Sequence, residues 1–323
     1  VLVNGSECEP YLTTDDRLMR EKAEEIVDGA LLIQHILRAY RIVIAIEDNK
    51  IEAISAMRAA AEGHGAIEVS VVPALYPMGS AKQLINAITG REVPAEGRST
   101  QVGVLVHNVG TVYAIQQALR YGNPLISRVV TVAGACVQRP RNVEVLLGTP
   151  VQHVLEFCGG LKSTPAQLLL GGPMMGQVLP STQVPVIKGA TGILALGPHE
   201  VPQRQASPCI RCARCVEACP MGLMPLEMAA HARAEDFAGA DDYGLDDCIL
   251  CGSCAYVCPS HIPLVQYFQY AMGEKDERRQ AERKTERIKQ MMESRRARLD
   301  AEEAARLTAQ ALRRSSSSTG VEK

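Results

Sequence analysis

The chain has 323 residues, 46% hydrophobic and 22% charged, with 34 Lys/Arg against 36 Asp/Glu and a formal charge of −2. That balance argues against a nucleic-acid partner held by overall charge, and with aromatics at 4% and no Trp, aliphatic side chains must build the interior. No apolar run approaches the roughly 18 residues that a bilayer span requires, so no transmembrane segment is expected and membrane association would be peripheral or through partners.

The opening residues VLVNGSECEP lack a Met, a basic region and a long apolar run, so they read as the interior of a domain, with further chain expected upstream. From there to about residue 125, β-branched runs alternate with helical stretches, the pattern of an α/β domain around a mostly parallel sheet. Candidate strands are residues 42–46, 67–72 and 102–106, each apolar enough to be covered on both faces. Candidate helices are residues 17–40, 51–62, 80–89 and 109–121, the last three closing at Gly63, Gly90 and Gly122. Residues 126–200 change to short strands and turns around one helix, with Thr149 placed to cap it and Pro150 to begin it, and read as a small α+β module. A connector with Gly197, Pro198 and Pro202 leads to a cysteine segment, residues 201–265. Residues 266–323 read as a charged helix and a disordered serine tail, with 13 Lys/Arg against 9 Asp/Glu between residues 274 and 314. Such a helix is either solvated, with opposite charges as neighbours, or a contact for an acidic partner or an anionic leaflet.

Eight of the 11 cysteines lie between Cys209 and Cys258, which without an export signal points to metal or cluster ligation in a reducing cytosol. They form two runs, Cys209, Cys212, Cys215, Cys219 and Cys248, Cys251, Cys254, Cys258, each spaced C-x2-C-x2-C-x3-C and followed by Pro220 or Pro259. This is the bacterial two-cluster ferredoxin spacing, in which three thiolates wrap one cluster and the fourth serves the other. The expected ligands are Cys209, Cys212, Cys215 and Cys258 for one [4Fe-4S] cluster, and Cys248, Cys251, Cys254 and Cys219 for the second. Each fourth cysteine is expected to open a helix leading away from its cluster. Zinc sites usually bring two spaced pairs to one tetrahedron, whereas each run here places four thiols within 11 residues. The 28 residues between the runs include a helical stretch at 225–235, so the cysteine module is expected to be mainly helical. Cys8, Cys136 and Cys158 read as isolated buried thiols.

Ligands of open α/β sheets bind beyond the carboxyl ends of the strands. Three segments there, residues 4–10, 76–80 and 107–111, could converge on one crevice. Asn4, Glu7 and Glu9 would supply acceptors, Gly79 would permit close backbone approach, and Asn108 with Thr111 would open a helix whose N–H groups suit a phosphate, or simply cap it. No G-x-G-x-x-G occurs, so the standard dinucleotide loop is absent.

The blocks NGSECEPYLTTDDRLMRE, YPMGSAKQLINAITGREVP, HNVGT and VAGACVQRPRNVEVLLGTPVQHVLEFCGG, followed by the paired cysteine runs, closely resemble the C subunit of the Rnf (Rsx) ion-translocating electron-transport complex. A more distant likeness runs to the NADH- and FMN-binding subunit of respiratory complex I. The resemblance implies an FMN/NADH-binding α/β domain, a β-grasp ligand-binding-type module at residues 126–200, and a ferredoxin domain with two [4Fe-4S] clusters. It implies that Asn4, Glu7, Gly79, Asn108 and Thr111 line an FMN pocket, with Glu9 and Tyr76 nearby. Ser6, Ser80 and Ala81 stand where the complex I relatives carry acidic residues, so nucleotide contacts do not transfer there. The implied function is that of a peripheral subunit at the cytoplasmic face of a bacterial inner membrane, passing electrons between NAD(H), FMN and the clusters, with integral membrane and ferredoxin-like subunits as partners. A soluble flavin reductase, such as a cobalamin reductase of similar architecture, and a non-catalytic electron-transfer module are the competing readings.

Overall fold

The computed structural model describes residues 1–95, 97–201 and 205–318, with the side chains of the last helix described to residue 310. Pro202 of the expected connector and residues 319–323 of the tail lie outside them. The chain divides into a unit from Val1 to Phe268 and a unit from Gln269 onward.

The first unit begins with an all-parallel sheet in the order β3-β2-β1-β4, formed by β1 (Leu2–Gly5), β2 (Ile42–Glu47), β3 (Ile67–Val72) and β4 (Val106–Asn108). All six residues of β2 are buried, because side chains alternate between two covered faces. Ile42, Ile44 and Ile46 join one core with α1 (Thr14–Glu21), α2 (Ala23–Leu37), α3 (Ile51–Ala61) and α5 (Val109–Tyr121), whereas Val43 and Ala45 join Leu84 and Ile85 of α4 (Ala81–Thr89) on the other face. Burying each Ile stabilises the sheet by about 1.5–3 kcal/mol. Gly29 lets α2 and α5 close together, since a Cβ there would stand 2.5 Å from the Val112 carbonyl.

Two expectations in this region are corrected. The helix expected over residues 17–40 is two helices, α1 and α2, bent at Lys22, whose φ is −131°. The bend lets α1 pack on α3, α5 and β5 while α2 follows α5 and α3. It ends early, at Leu37, because Arg38 takes a left-handed conformation and its amide bonds back to the Gln34 and His35 carbonyls. The strand expected at residues 102–106 is instead a 3-10 turn (Ser99–Val102) closed by Gly103 at φ +75°, with β4 starting only at Val106. The Arg91 guanidinium donates to the Val102 carbonyl at 2.9 Å and holds that turn.

A five-stranded mixed sheet follows, in the order β6-β5-β9-β7-β8, from β5 (Ser127–Ala133), β6 (Arg141–Leu146), β7 (Gln167–Leu170), β8 (Gln177–Val178) and β9 (Gly192–Leu196). α6 (Val151–Phe157) packs on it through Val151, Val154 and Leu155, in a core shared with Cys136 and Cys158. Pro150, not Thr149, holds the N-cap of α6, and without a side-chain cap bond. β9 joins β5 to β7, a strand that the sequence pattern alone leaves within the connector.

The cysteine segment is made of short helices: α7 (Arg214–Glu217), α8 (Pro225–Arg233), α9 (Phe237–Asp242) and α10 (Ser253–Tyr256). α8 stops at Arg233 rather than residue 235, and Glu235 has φ +57°; Asp236 then caps α9 by accepting from the Gly239 amide at 3.0 Å. The fourth cysteines do not open helices. Cys219 and Cys258 come just after α7 and α10, and the next helices begin only at Pro225 and Leu264. Helix α11 (Leu264–Ser318) continues through the serine run, where a disordered tail was expected. The described side chains of its second-unit part are mostly exposed, with Arg298 and Glu302 paired at 4.0 Å one turn apart. Among the described residues no helix is long and apolar enough to cross a membrane.

Candidate functional site

At the carboxyl ends of β1 and β4, the expected crevice residues hold one another. Asn4 donates to the Gly79 carbonyl at 2.9 Å and accepts from the Ser6 amide at 3.0 Å. Gly79 fits against this loop because it has no side chain: a Cβ would lie 2.6 Å from the Ser6 carbonyl and 3.0 Å from Cys8 Sγ, the atom its own amide reaches at 3.4 Å. Asn108 caps α5 by accepting from the Gly110 amide at 2.8 Å, and donates to Asp15 at 2.6 Å. Thr111 is half-buried in the first turn of α5.

Glu7 is buried and already well supplied with donors. Its carboxylate accepts from Thr14 Oγ1 at 2.9 Å and from the amides of Asp15 and Asp16 at 3.0 and 3.2 Å, with Lys50 Nζ 3.9 Å away. It therefore caps α1 from outside the helix, a role the α1 sequence does not announce. Glu9 faces the loop after β7, accepting from the amides of Met174 and Met175 at 3.1 and 2.8 Å. Tyr76 faces the cysteine segment and donates to the Cys251 carbonyl at 2.5 Å. Asn4, Glu7, Gly79 and Asn108 are thus linked at the sheet edge, whereas Glu9 and Tyr76 join that edge to its neighbours.

Burial dominates the electrostatics here. It pushes the Cys8 thiol up to about 11, with the Glu47 and Glu9 charges adding and the Gly79 amide opposing. It raises Asp15 to about 7, helped by the Glu7 charge and opposed by the Asn108 hydrogen bond. Glu47 ends β2 and is 2% exposed; burial raises it as well. Glu47 Oε1 and Ser6 Oγ are buried side-chain atoms without a hydrogen-bond partner among the described residues, at the ends of adjacent strands. Buried polar atoms are normally paired, so these two suit a ligand that brings polar groups, such as a flavin with its ribityl hydroxyls. Glu47 and Asp15, which lie at this edge, are candidate residues that sequence reasoning missed. An acid closing the apolar run IVIAIE, with Asp48 next to it, was the available signal for Glu47.

The eight cysteines border two cavities. One, of about 90 Å³, is lined by Cys209, Cys212, Cys215 and Cys258; the other, of about 20 Å³, by Cys219, Cys248, Cys251 and Cys254. Each cavity takes three thiols from one run and one from the other. Among the described residues no three Cys, His, Asp or Glu groups converge as ligands of a single ion. Thiols spread around a cavity suit a group that offers each its own iron. The runs repeat in backbone as well: Arg211 and Ala213 in the first, and Leu250 and Gly252 in the second, have φ between +53° and +82°. Such turns aim successive amides inward, a concavity suited to anionic sulfide. Burial raises Cys248 to about 11 and Cys254 to about 12, so iron binding, which needs thiolates, must release protons there.

Family models match along the chain in sequence: the Nuo51 FMN-binding domain over residues 1–117, the SLBB domain over 129–178 and the 4Fe-4S dicluster domain over 208–262. Among curated relatives, the C subunit of the ion-translocating oxidoreductase complex of Rhodobacter capsulatus is 48% identical over 279 residues, 86% of this chain and 54% of that protein. The corresponding subunit of Pasteurella multocida is 46% identical over 291 residues, 90% of this chain and 35% of that protein. The chain thus spans from about a third to about a half of the relatives' length. The fold resembles a chain of an NAD+-reducing [NiFe]-hydrogenase, with a TM-score of 0.56, 17% identity, and coverage of 78% of this chain and 52% of the other. By these matches and the paired cysteine runs, the chain is homologous over most of its own length to the C subunits of ion-translocating oxidoreductase complexes.

Proposed function

We propose that this chain is the electron-transfer part of a peripheral subunit at the cytoplasmic face of a bacterial inner membrane. It would pass electrons between NAD(H), FMN and two [4Fe-4S] clusters to partner subunits that carry out ion translocation. The observation that carries the reading is the pair of four-cysteine cavities, one of them tied to the crevice side by the Tyr76 hydrogen bond to the Cys251 carbonyl. When bound, a flavin exchanges two electrons with a nicotinamide and single electrons with iron–sulfur centres.

The residues would divide the work as follows. Asn4 and Gly79 fix the loop against which an isoalloxazine would lie, and Asn108 with Thr111 presents the α5 N-terminus to a phosphate. Ser6 and Glu47 supply polar atoms to the same edge. Cys209, Cys212, Cys215 and Cys258 would hold one cluster, and Cys248, Cys251, Cys254 and Cys219 the other. Residues 1–125, 126–200, 201–265 and 266–323 serve as working boundaries for the crevice domain, the β-grasp module, the ferredoxin domain and the charged helix with its tail. The test is anaerobic purification of the full-length protein with EPR and visible spectroscopy. About eight iron and eight sulfide per chain are expected by the two-cluster rule, together with flavin and bleaching on adding NADH. A colourless, EPR-silent preparation after dithionite would reject the reading.

A further inference from the structure

The two cysteine sets have different surroundings. Four contacts tie the crevice side to the set Cys219, Cys248, Cys251 and Cys254, each within two residues of one of its cysteines. Tyr76 donates to the Cys251 carbonyl at 2.5 Å, and Lys82 pairs with Asp247 at 3.0 Å. Gln83 donates to the Pro220 carbonyl at 3.0 Å. Gly252 packs on Met174, whose carbonyl would be 3.0 Å from a Cβ there, and the Met174 amide is held by Glu9. Tyr76, Lys82 and Gln83 flank Gly79 on one loop and the start of α4. Cys251 and Cys254 are 7% exposed.

The other set is placed differently. Cys209 and Cys212 are exposed, and Ile210 between them is 68% exposed. The bonds beside it come from the cysteine segment itself: the Ser207 amide to the Ser260 carbonyl at 2.8 Å, and Ser260 Oγ to the Pro208 carbonyl at 3.0 Å.

Resting on the function proposed above, we infer an order of transfer: the Cys219, Cys248, Cys251, Cys254 set is the inner centre, fed from the crevice, and the Cys209, Cys212, Cys215, Cys258 set is the outlet. A bound flavin would take a hydride from NADH and pass its two electrons on singly, with one proton released to solvent. A cluster held by Cys219, Cys248, Cys251 and Cys254 would accept each electron ahead of one held by Cys209, Cys212, Cys215 and Cys258, and two one-electron acceptors would be reduced per NADH.

The test uses the full-length, anaerobically prepared protein with its flavin. EPR is recorded after NADH and after dithionite for the wild type, Cys212→Ser and Cys254→Ser. In Cys212→Ser, NADH should still reduce the surviving inner cluster. In Cys254→Ser, dithionite should reduce the outer cluster but NADH should do so at least about tenfold more slowly. The reverse pattern overturns the order while leaving the NAD-linked function intact. A wild-type protein whose clusters answer to dithionite and not to NADH overturns that function instead. A second measurement needs neither variants nor NADH: graded ferricyanide with iodoacetamide, followed by peptide mass spectrometry. The outer four cysteines should be alkylated before the inner four, and alkylation of the inner four first overturns the inference.

Discussion

Replacing Glu7 separates a cap from a ligand. In Glu7→Gln, one oxygen can still accept from Thr14 and the Asp15 amide, but the new amide nitrogen faces the Asp16 N–H, now 3.2 Å from its acceptor. A partly buried donor left against another donor costs about 1–3 kcal/mol. Glu7→Ala removes the acceptor of all three hydrogen bonds at the α1 N-terminus and the partner of the largely buried Lys50, for a total of about 3 kcal/mol or more. With about 2–4 °C per kcal/mol for a domain of 150–250 residues, Gln should lower the Tm by about 4 °C and Ala by about 6–12 °C. The assay is thermal unfolding followed by circular dichroism on the ligand-free chain. A Tm of Glu7→Ala within about 1 °C of wild type would refute the capping role.

Three further outcomes are expected. Burial and the Glu7 charge raise Asp15 to about 7, so the folded state holds a proton there that the unfolded chain releases near its ordinary value of 3.8. Its contribution to stability is full below about pH 4 and lost as the pH rises to about 7; Asp15→Asn should flatten that stretch of the Tm–pH curve, and an unchanged slope would count against the assignment. Gly79→Ala forces a Cβ to 2.6 Å from the Ser6 carbonyl, so full-length protein should retain less flavin after gel filtration and lose about 1–3 kcal/mol, whereas unchanged flavin content removes Gly79 from the pocket. Cys258→Ser should damage the centre of Cys209, Cys212 and Cys215, read by iron content and EPR, and damage confined to the other centre would contradict the exchange of fourth ligands.

Patterns that depend only on local chemistry could be read directly from the residues. The run IVIAI marked a strand covered on both faces, Gly90 and Gly122 marked helix ends, and the cysteine spacing singled out the eight thiols that line the two cavities. What escaped depended on distant partners. Lys22 bends a helix whose first part also reaches the distant strand β5, and Arg91 stabilises a turn where the apolar run suggested a strand. In the crevice, residue types were anticipated better than roles: Glu9 binds backbone amides 165 and 166 positions away, and Glu7 caps a helix beginning seven residues later.

The exchange of walls between the two four-thiol cavities also limits how the ferredoxin region can be divided. Neither half can be excised as a self-sufficient, single-cube domain. A cut anywhere between Met221 and Asp247 strips one sulfur from both chambers at once. Any shortened electron carrier derived from this chain must therefore keep the whole stretch from Cys209 to Cys258 uninterrupted.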